Sequence, residues 1–174
     1  MVDASKPARL GCGNRFFKIR RGISAITEKF FVDTTVFIAA FNVRDRFYEL
    51  GLRLLKEASE RASLLYTSDY ILDEAISAVW SATKRRNHML KVDEAIQDSG
   101  KIETISVTPQ ILSSAKACLR KYDNLTLSLT DWVSVIIMRD NNIPYILSFD
   151  ADFDKVKSVK EFSFVTRITE LKYF

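Results

Sequence analysis

The sequence predicts an α/β fold, a three-layer α/β/α sandwich around a mainly parallel central sheet, and two observations predict it. Short apolar runs rich in aromatic and β-branched residues alternate with longer stretches whose apolar residues recur at helical spacing. Helix-start signals then follow the ends of those runs almost directly, as in successive βαβ units. The chain has 174 residues and is 47% hydrophobic, which suits one domain with one proper core. Five Gly and three Pro leave little room for flexible linkers, and there is no internal repeat.

The elements follow in order. Residues 1–28 lack a periodic pattern and read as a weakly structured extension. Lys29 to Val32 is a short buried strand, because an unbroken apolar run suits a parallel sheet covered on both faces. Thr35 to Asn42 turns into a helix. Asp45 starts the next, in which Phe47, Leu50, Leu54 and Leu55 recur at helical spacing. Leu64 to Thr67 is the second strand. Ser68 or Asp69 caps a helix carrying Ile71, Leu72, Ala75, Ile76, Val79 and Trp80. A polar helix runs from His88 to about Ser99. Ile102 to Val107 alternates and is a third strand, and Pro109 suits the first turn of a helix over 110–121. Ser128 and Asp131 have capping-box spacing ahead of a helix with Trp132, Val133, Val135, Ile136 and Ile137, ended by Asn141 and Asn142. Ile143 to Ser148 is the fourth strand and Phe162 to Ile168 the fifth.

Charge and composition remove several function classes. The formal charge is +4, but residues 1–30 hold 7 of the 26 Lys/Arg and 2 of the 22 Asp/Glu, so the rest of the chain is close to neutral. A basic arm of this kind can bind nucleic acid electrostatically, and its plainer reading is a solvated extension. Two distant cysteines, Cys12 and Cys118, and the single His88 cannot supply a zinc site of ordinary spacing or a disulfide framework, which fits a cytoplasmic protein. His88 reads as a surface residue, and it is the only histidine on which a Ser-His-Asp or Cys-His mechanism could draw. No apolar run reaches the ~18 residues of a membrane span. Asp33, inside the apolar run 30–41, argues against a signal peptide.

That same Asp33 begins the case for a site. Ligands in open parallel sheets bind beyond the carboxyl ends of the strands, and helix N-termini point to the same edge. Asp33 ends the first strand, and Asp150 ends the fourth with Asp152 and Asp154 just beyond. Glu74 lies early in the helix after the second strand, and Asp131 lies in the first turn of its helix. Topology thus brings four acids to one edge. Clustered carboxylates raise one another's pKa, and a hard cation relieves the repulsion. With oxygen donors only, Mg²⁺ or Mn²⁺ fits better than zinc. Thr34, Thr35 and Ser148 are placed to orient carboxylates or waters. Each acid alone has a plainer reading, as a first-turn helix residue or part of a polar turn. Their joint occurrence in this order carries the argument.

These residues resemble the PIN-domain family, especially the VapC-type toxin ribonucleases of VapBC toxin–antitoxin pairs. The strand followed by Asp33, Thr34, Thr35 and Val36 looks like the family's opening motif. Glu74, preceded by Asp73, looks like its second acid, and Thr130-Asp131-Trp132 like its third. Ser148-Phe149-Asp150-Ala151-Asp152-Phe153 looks like its closing block. The likeness covers roughly residues 29–170, so the PIN-like nuclease domain is expected over 29–174. It implies metal ligation by Asp33, Glu74, Asp131 and Asp150, with Asp152 as a near or water-mediated ligand. It further implies hydrolysis of RNA by activated water, a homodimer and a small antitoxin protein as partner. The pattern departs in three places: the extra N-terminal residues, the Asp73–Glu74 pair, and the bulk of Trp132 after the third acid.

Other readings compete. A receiver-type domain would show an acidic pair where Phe30 and Phe31 stand, and a haloacid-dehalogenase-type phosphatase would have an acid at Thr35. A non-catalytic RNA-binding or scaffold module on the same fold, or a PIN nuclease in RNA processing, are the alternatives to a toxin. Lys84, Arg85 and Arg86, with Lys91, are candidates for phosphate contacts, with a helix end of solvated charges as the plainer reading. Arg44, Arg46, Arg120 and Lys121 are weaker ones, and Phe41 and Tyr70 read as core before they read as base-stacking residues.

Overall fold

A computed structural model of the chain describes residues 28–171. The basic extension expected over 1–28, apart from Glu28, lies outside the described residues, as do Cys12 and residues 172–174. Among the described residues the order is β1 (Phe30–Val32), α1 (Thr34–Phe41), α2 (Tyr48–Arg61), β2 (Leu65–Ser68), α3 (Asp69–Thr83), α4 (Arg86–Gln97), β3 (Ile102–Ile105), α5 (Pro109–Lys121), α6 (Leu129–Asp140), β4 (Tyr145–Leu147), α7 (Asp152–Lys155) and β5 (Thr166–Ile168). Two 3₁₀ turns, Val156–Ser158 and Lys160–Phe162, link α7 to β5.

The strands form one sheet in the order β3-β2-β1-β4-β5, with all four pairings parallel. The chain works outward from β1 through β2 to β3, then returns to the other side of β1 for β4 and β5. The strand order therefore reverses between β1 and β4. At such a switch point the connections leave in opposite directions, and a crevice opens beyond the carboxyl ends of the two strands. With right-handed crossovers, α1 packs on α2, α3 and α4 as one helical layer, and α5 pairs with α6 as the other. The result is the expected α/β/α sandwich, and α3 and α6 also come into contact.

The local chemistry explains the elements. Phe30, Phe31 and Val32 are all buried, as befits a central strand covered on both faces. Ser68 caps α3 by accepting from the Ile71 amide, and Thr108 caps α5 by accepting from that of Ile111. Pro109 occupies the first turn of α5. Trp132, Phe30, Phe31, Phe37, Phe153 and Phe162 are the bulkiest buried side chains. Trp132 stacks on Tyr122 at 5.5 Å between centroids and lies 5.6 Å from Phe162, so its bulk packs against the residue that ends α5 and against the second 3₁₀ turn. At Gly51 the α2 backbone comes so near α1 that an added Cβ would stand 3.0 Å from the Ala39 Cβ.

The structure corrects the sequence expectations at Asp45, at Phe47, in the fifth strand and at Trp80. Asp45 does not start α2. Its carboxylate accepts from the Phe47 amide in a local turn, and the helix begins at Tyr48. Phe47 is thereby freed from the helix face and stacks on Phe149 at 4.7 Å. The fifth strand is short, because Phe162 fills the core from a 3₁₀ turn, Val165 does so from the irregular segment after it, and only Thr166–Ile168 pairs with β4. Trp80, expected on the apolar side of α3, is exposed. Among the described residues, no helix is long and apolar enough to cross a membrane.

Candidate active site

Asp33 stands at the β1–α1 junction. Its amide donates to the Leu147 carbonyl at 3.0 Å, continuing the β1–β4 ladder by one residue, and its side chain caps α1. Three donors converge on Oδ2: the Thr35 amide at 3.2 Å, the Thr35 hydroxyl at 2.6 Å and the Ser148 hydroxyl at 2.8 Å. Each hydroxyl is fixed from its other side. Thr35 Oγ1 accepts from the Phe149 amide at 3.0 Å, and Ser148 Oγ accepts from the Asp150 amide at 3.0 Å. The two hydroxyls therefore clasp the ends of β1 and β4 across the switch point and leave the acid little rotational freedom. Asp33 Oδ1 takes none of these bonds.

The other acids arrive from the elements around this junction. Glu74, in the second turn of α3, is exposed, and its Oε2 accepts from the Thr34 hydroxyl at 2.8 Å. Asp73 is exposed beside it. Asp131 closes a capping box with Ser128, accepting from the Ser128 amide at 2.6 Å while its own amide donates to Ser128 Oγ at 3.2 Å. Asp150 Oδ1 accepts from the Asp152 amide at 2.8 Å, which curls the chain into α7. Asp152 is engaged elsewhere. Lys155 Nζ donates to its Oδ1 at 2.5 Å and the Thr126 hydroxyl donates to its Oδ2. Asp154 pairs with Arg167, whose guanidinium also donates to the Ser148 carbonyl at 3.4 Å. Sequence reasoning missed Thr126, Lys155 and Arg167 as the residues that fix this loop. Only Lys155, one helical turn beyond Asp152, left a local signal.

The electrostatics tie the acids together. Burial pushes the Asp33 carboxyl up to about 6, against the lowering effect of the Thr35 and Ser148 hydrogen bonds, and the Asp131 charge adds to the rise. Asp131 is itself raised, first by burial and then by repulsion from Asp150 and Asp152, with the Ser128 bonds opposing. Asp152 is lowered by its bonds from Lys155 and Thr126. Coupling thus runs from Asp33 through Asp131 to Asp150 and Asp152.

Whether these residues suit a divalent cation follows from the same features. Among the described residues no three acids already stand close enough to form a ready-made cage. Asp33, however, is only 3% exposed and has no ion pair among the described residues. A buried carboxylate in that condition is stabilised by a cation. The donors are all oxygen, and His88 lies away on α4. The donor chemistry therefore fits a hard ion such as Mg²⁺ or Mn²⁺.

The remaining sequence candidates are spread around the molecule. Lys84, Arg85 and Arg86 form the exposed corner between α3 and α4. Phe41 and Tyr70 are half-buried against the core. Tyr70 also lines an open depression of about 280 Å³ with Asp69, Asp73 and Val107, at the carboxyl ends of β2 and β3.

Comparison with known proteins gives a family-level answer. The family model of the PIN domain matches residues 30–159. Among solved structures, the fold is similar to the crystal structure of VapC20 from Mycobacterium tuberculosis, described as a sarcin–ricin loop cleaving toxin. The two share 25% sequence identity with a TM-score of 0.66, over 72% of this chain and 93% of that one. No curated protein matches the sequence.

Proposed function

Because the chain belongs to the PIN domain family, we propose that it is a Mg²⁺- or Mn²⁺-dependent endoribonuclease, cytoplasmic and homodimeric, acting as the toxin of a toxin–antitoxin pair held in check by a small antitoxin protein. The observation that carries this reading is the buried, clasped Asp33 at the switch point, coupled through Asp131 to Asp150. The likeness to a sarcin–ricin loop cleaving toxin supports RNA as the substrate class.

In this mechanism Asp33, Asp131 and Asp150 hold the cation, with Glu74 direct or through water and Asp152 at the periphery. The cation supplies Lewis acidity toward the phosphodiester and lowers the pKa of a water. The protein supplies the orientation. Thr35 and Ser148 fix which Asp33 oxygen is tied down, Thr34 holds Glu74 at the rim, and the capping box keeps Asp131 from rotating into solvent. Burial around Asp33 keeps bulk water from screening its charge.

One observation favours a second reading, a non-catalytic RNA-binding or scaffold module: the acids stand apart and Asp152 is already paired with Lys155. Incubation of single-stranded RNA with the protein in Mg²⁺, Mn²⁺ or EDTA, beside a calorimetric Mn²⁺ titration, separates the two. Metal-dependent cleavage supports the nuclease. Absence of both cleavage and Mn²⁺ binding supports the module.

A further inference from the structure

One face of α3 leads away from the acids. Ile71, Ala75 and Val79 are its buried row. Glu74, Ser77, Trp80, Ser81 and Lys84 are exposed and recur at spacings of three and four, so they form one stripe on the solvent side. From Glu74 to Lys84 the helix rises ~15 Å. Trp80 is 42% exposed, and Lys84 Nζ lies 5.9 Å from its ring centroid.

The stripe ends in unbalanced charge. Lys84 adopts a left-handed conformation, φ 53°, which ends α3 and turns the chain into α4. Arg85, Arg86 and Lys91 stand exposed at this corner with it. None of these four cations has an ion pair among the described residues, whereas Arg53, Lys121, Arg139, Lys155 and Arg167 do. Consecutive uncompensated cations suit a polyanion. An exposed indole face suits an unstacked base, and every base has such a face to offer. Ser77, between the indole and the acids, and Ser81, on the Lys84 side, are small and polar, so the stripe lacks the apolar core a protein partner would need.

We propose that this stripe is a track for single-stranded RNA, in which one base stacks on Trp80 and the adjoining phosphates pair with Lys84, Arg85 and Arg86, directing the chain toward the acid cluster. This inference rests on the RNA-directed reading above and names the part of the surface that engages the substrate.

The test uses binding without cleavage. A mixed-sequence single-stranded RNA is titrated into the full chain in EDTA while tryptophan emission is followed. The protein has two tryptophans, and the other, Trp132, is fully buried, so quenching reads Trp80. The expected results are saturable quenching, binding about tenfold weaker in Trp80→Ala, and recovery of most of the affinity in Trp80→Phe. A Lys84→Ala/Arg85→Ala/Arg86→Ala variant should lower the slope of log affinity against log salt by about 2. Unchanged affinity in a folded Trp80→Ala protein overturns the track. So does a Trp80→Ala protein that changes from dimer to monomer in sedimentation with its RNA affinity intact, since the face then belongs to a second copy. Failure of the nuclease reading is distinct: RNA would still quench Trp80, but metal would bring no cleavage.

Discussion

Replacing Asp33 by Asn should stabilise the metal-free protein, and the size of the gain can be worked from the structure. Burial raises the Asp33 carboxyl from its ordinary 3.8 to about 6. Between those values the folded state holds more protons than the unfolded state, so wild-type stability falls as pH rises through this window and stays low above it. A displacement of about two pH units, at about 1.4 kcal/mol each, corresponds to about 3 kcal/mol at pH 8. Asparagine carries no charge to bury, and its side-chain oxygen can accept from Thr35 and Ser148 as Oδ2 does. The advantage should be about 3 kcal/mol at pH 8, about half that at pH 5 and small at pH 4. For a chain of this length the gain at pH 8 is a rise in Tm of roughly 6–12 °C. The assay is thermal or urea unfolding in EDTA across pH 4–8. Saturating Mn²⁺ should then raise the Tm of the wild type and leave that of Asp33→Asn unmoved, because only a site that binds the folded state shifts the equilibrium. A variant less stable than wild type at pH 8, or a gap independent of pH, would refute the reasoning.

Two further substitutions probe the frame around that acid. Ser148→Ala removes one of the three donors to Asp33 and leaves the Asp150 amide without its acceptor. It should cost about 1–3 kcal/mol in urea unfolding and weaken Mn²⁺ binding measured by calorimetry. Gly51→Ala would ordinarily gain about 1 kcal/mol of helix propensity. Here its Cβ meets the Ala39 Cβ at 3.0 Å and the Ala40 amide nitrogen at 3.1 Å, and neither can swing aside. A net loss of about 1–3 kcal/mol is expected in the same unfolding assay.

Much of the frame was legible because the signals were local. The run Lys29–Val32 predicted a short buried strand, and a charged residue ending it had to serve either as a cap or as a site. Asp33 does the first in the structure and is proposed for the second. Ser128 and Asp131 announced their capping box by spacing alone. The misreadings have equally physical causes. Trp80 follows Val79 by 100° around α3, and the row of Ile71, Ala75 and Val79 already fills the buried face, so the indole was left outside. Phe162 and Val165 are apolar enough for a strand, but they reach the core from an irregular segment. Asp152 reads from the sequence as one more acid of the cluster, because no local rule says that Thr126, 26 residues earlier, returns to meet it. The convergence on one edge followed from the parallel topology, whereas the spacing between the acids depends on side-chain placement that topology does not set.

The central claim is that Asp33 anchors a metal-dependent ribonuclease centre. The most direct measurement compares wild type and Asp33→Asn, purified identically, on single-stranded RNA in Mn²⁺. The account predicts cleavage by wild type that EDTA stops, and no cleavage by a variant that is as well folded or more stable. Cleavage undiminished in the variant would contradict it.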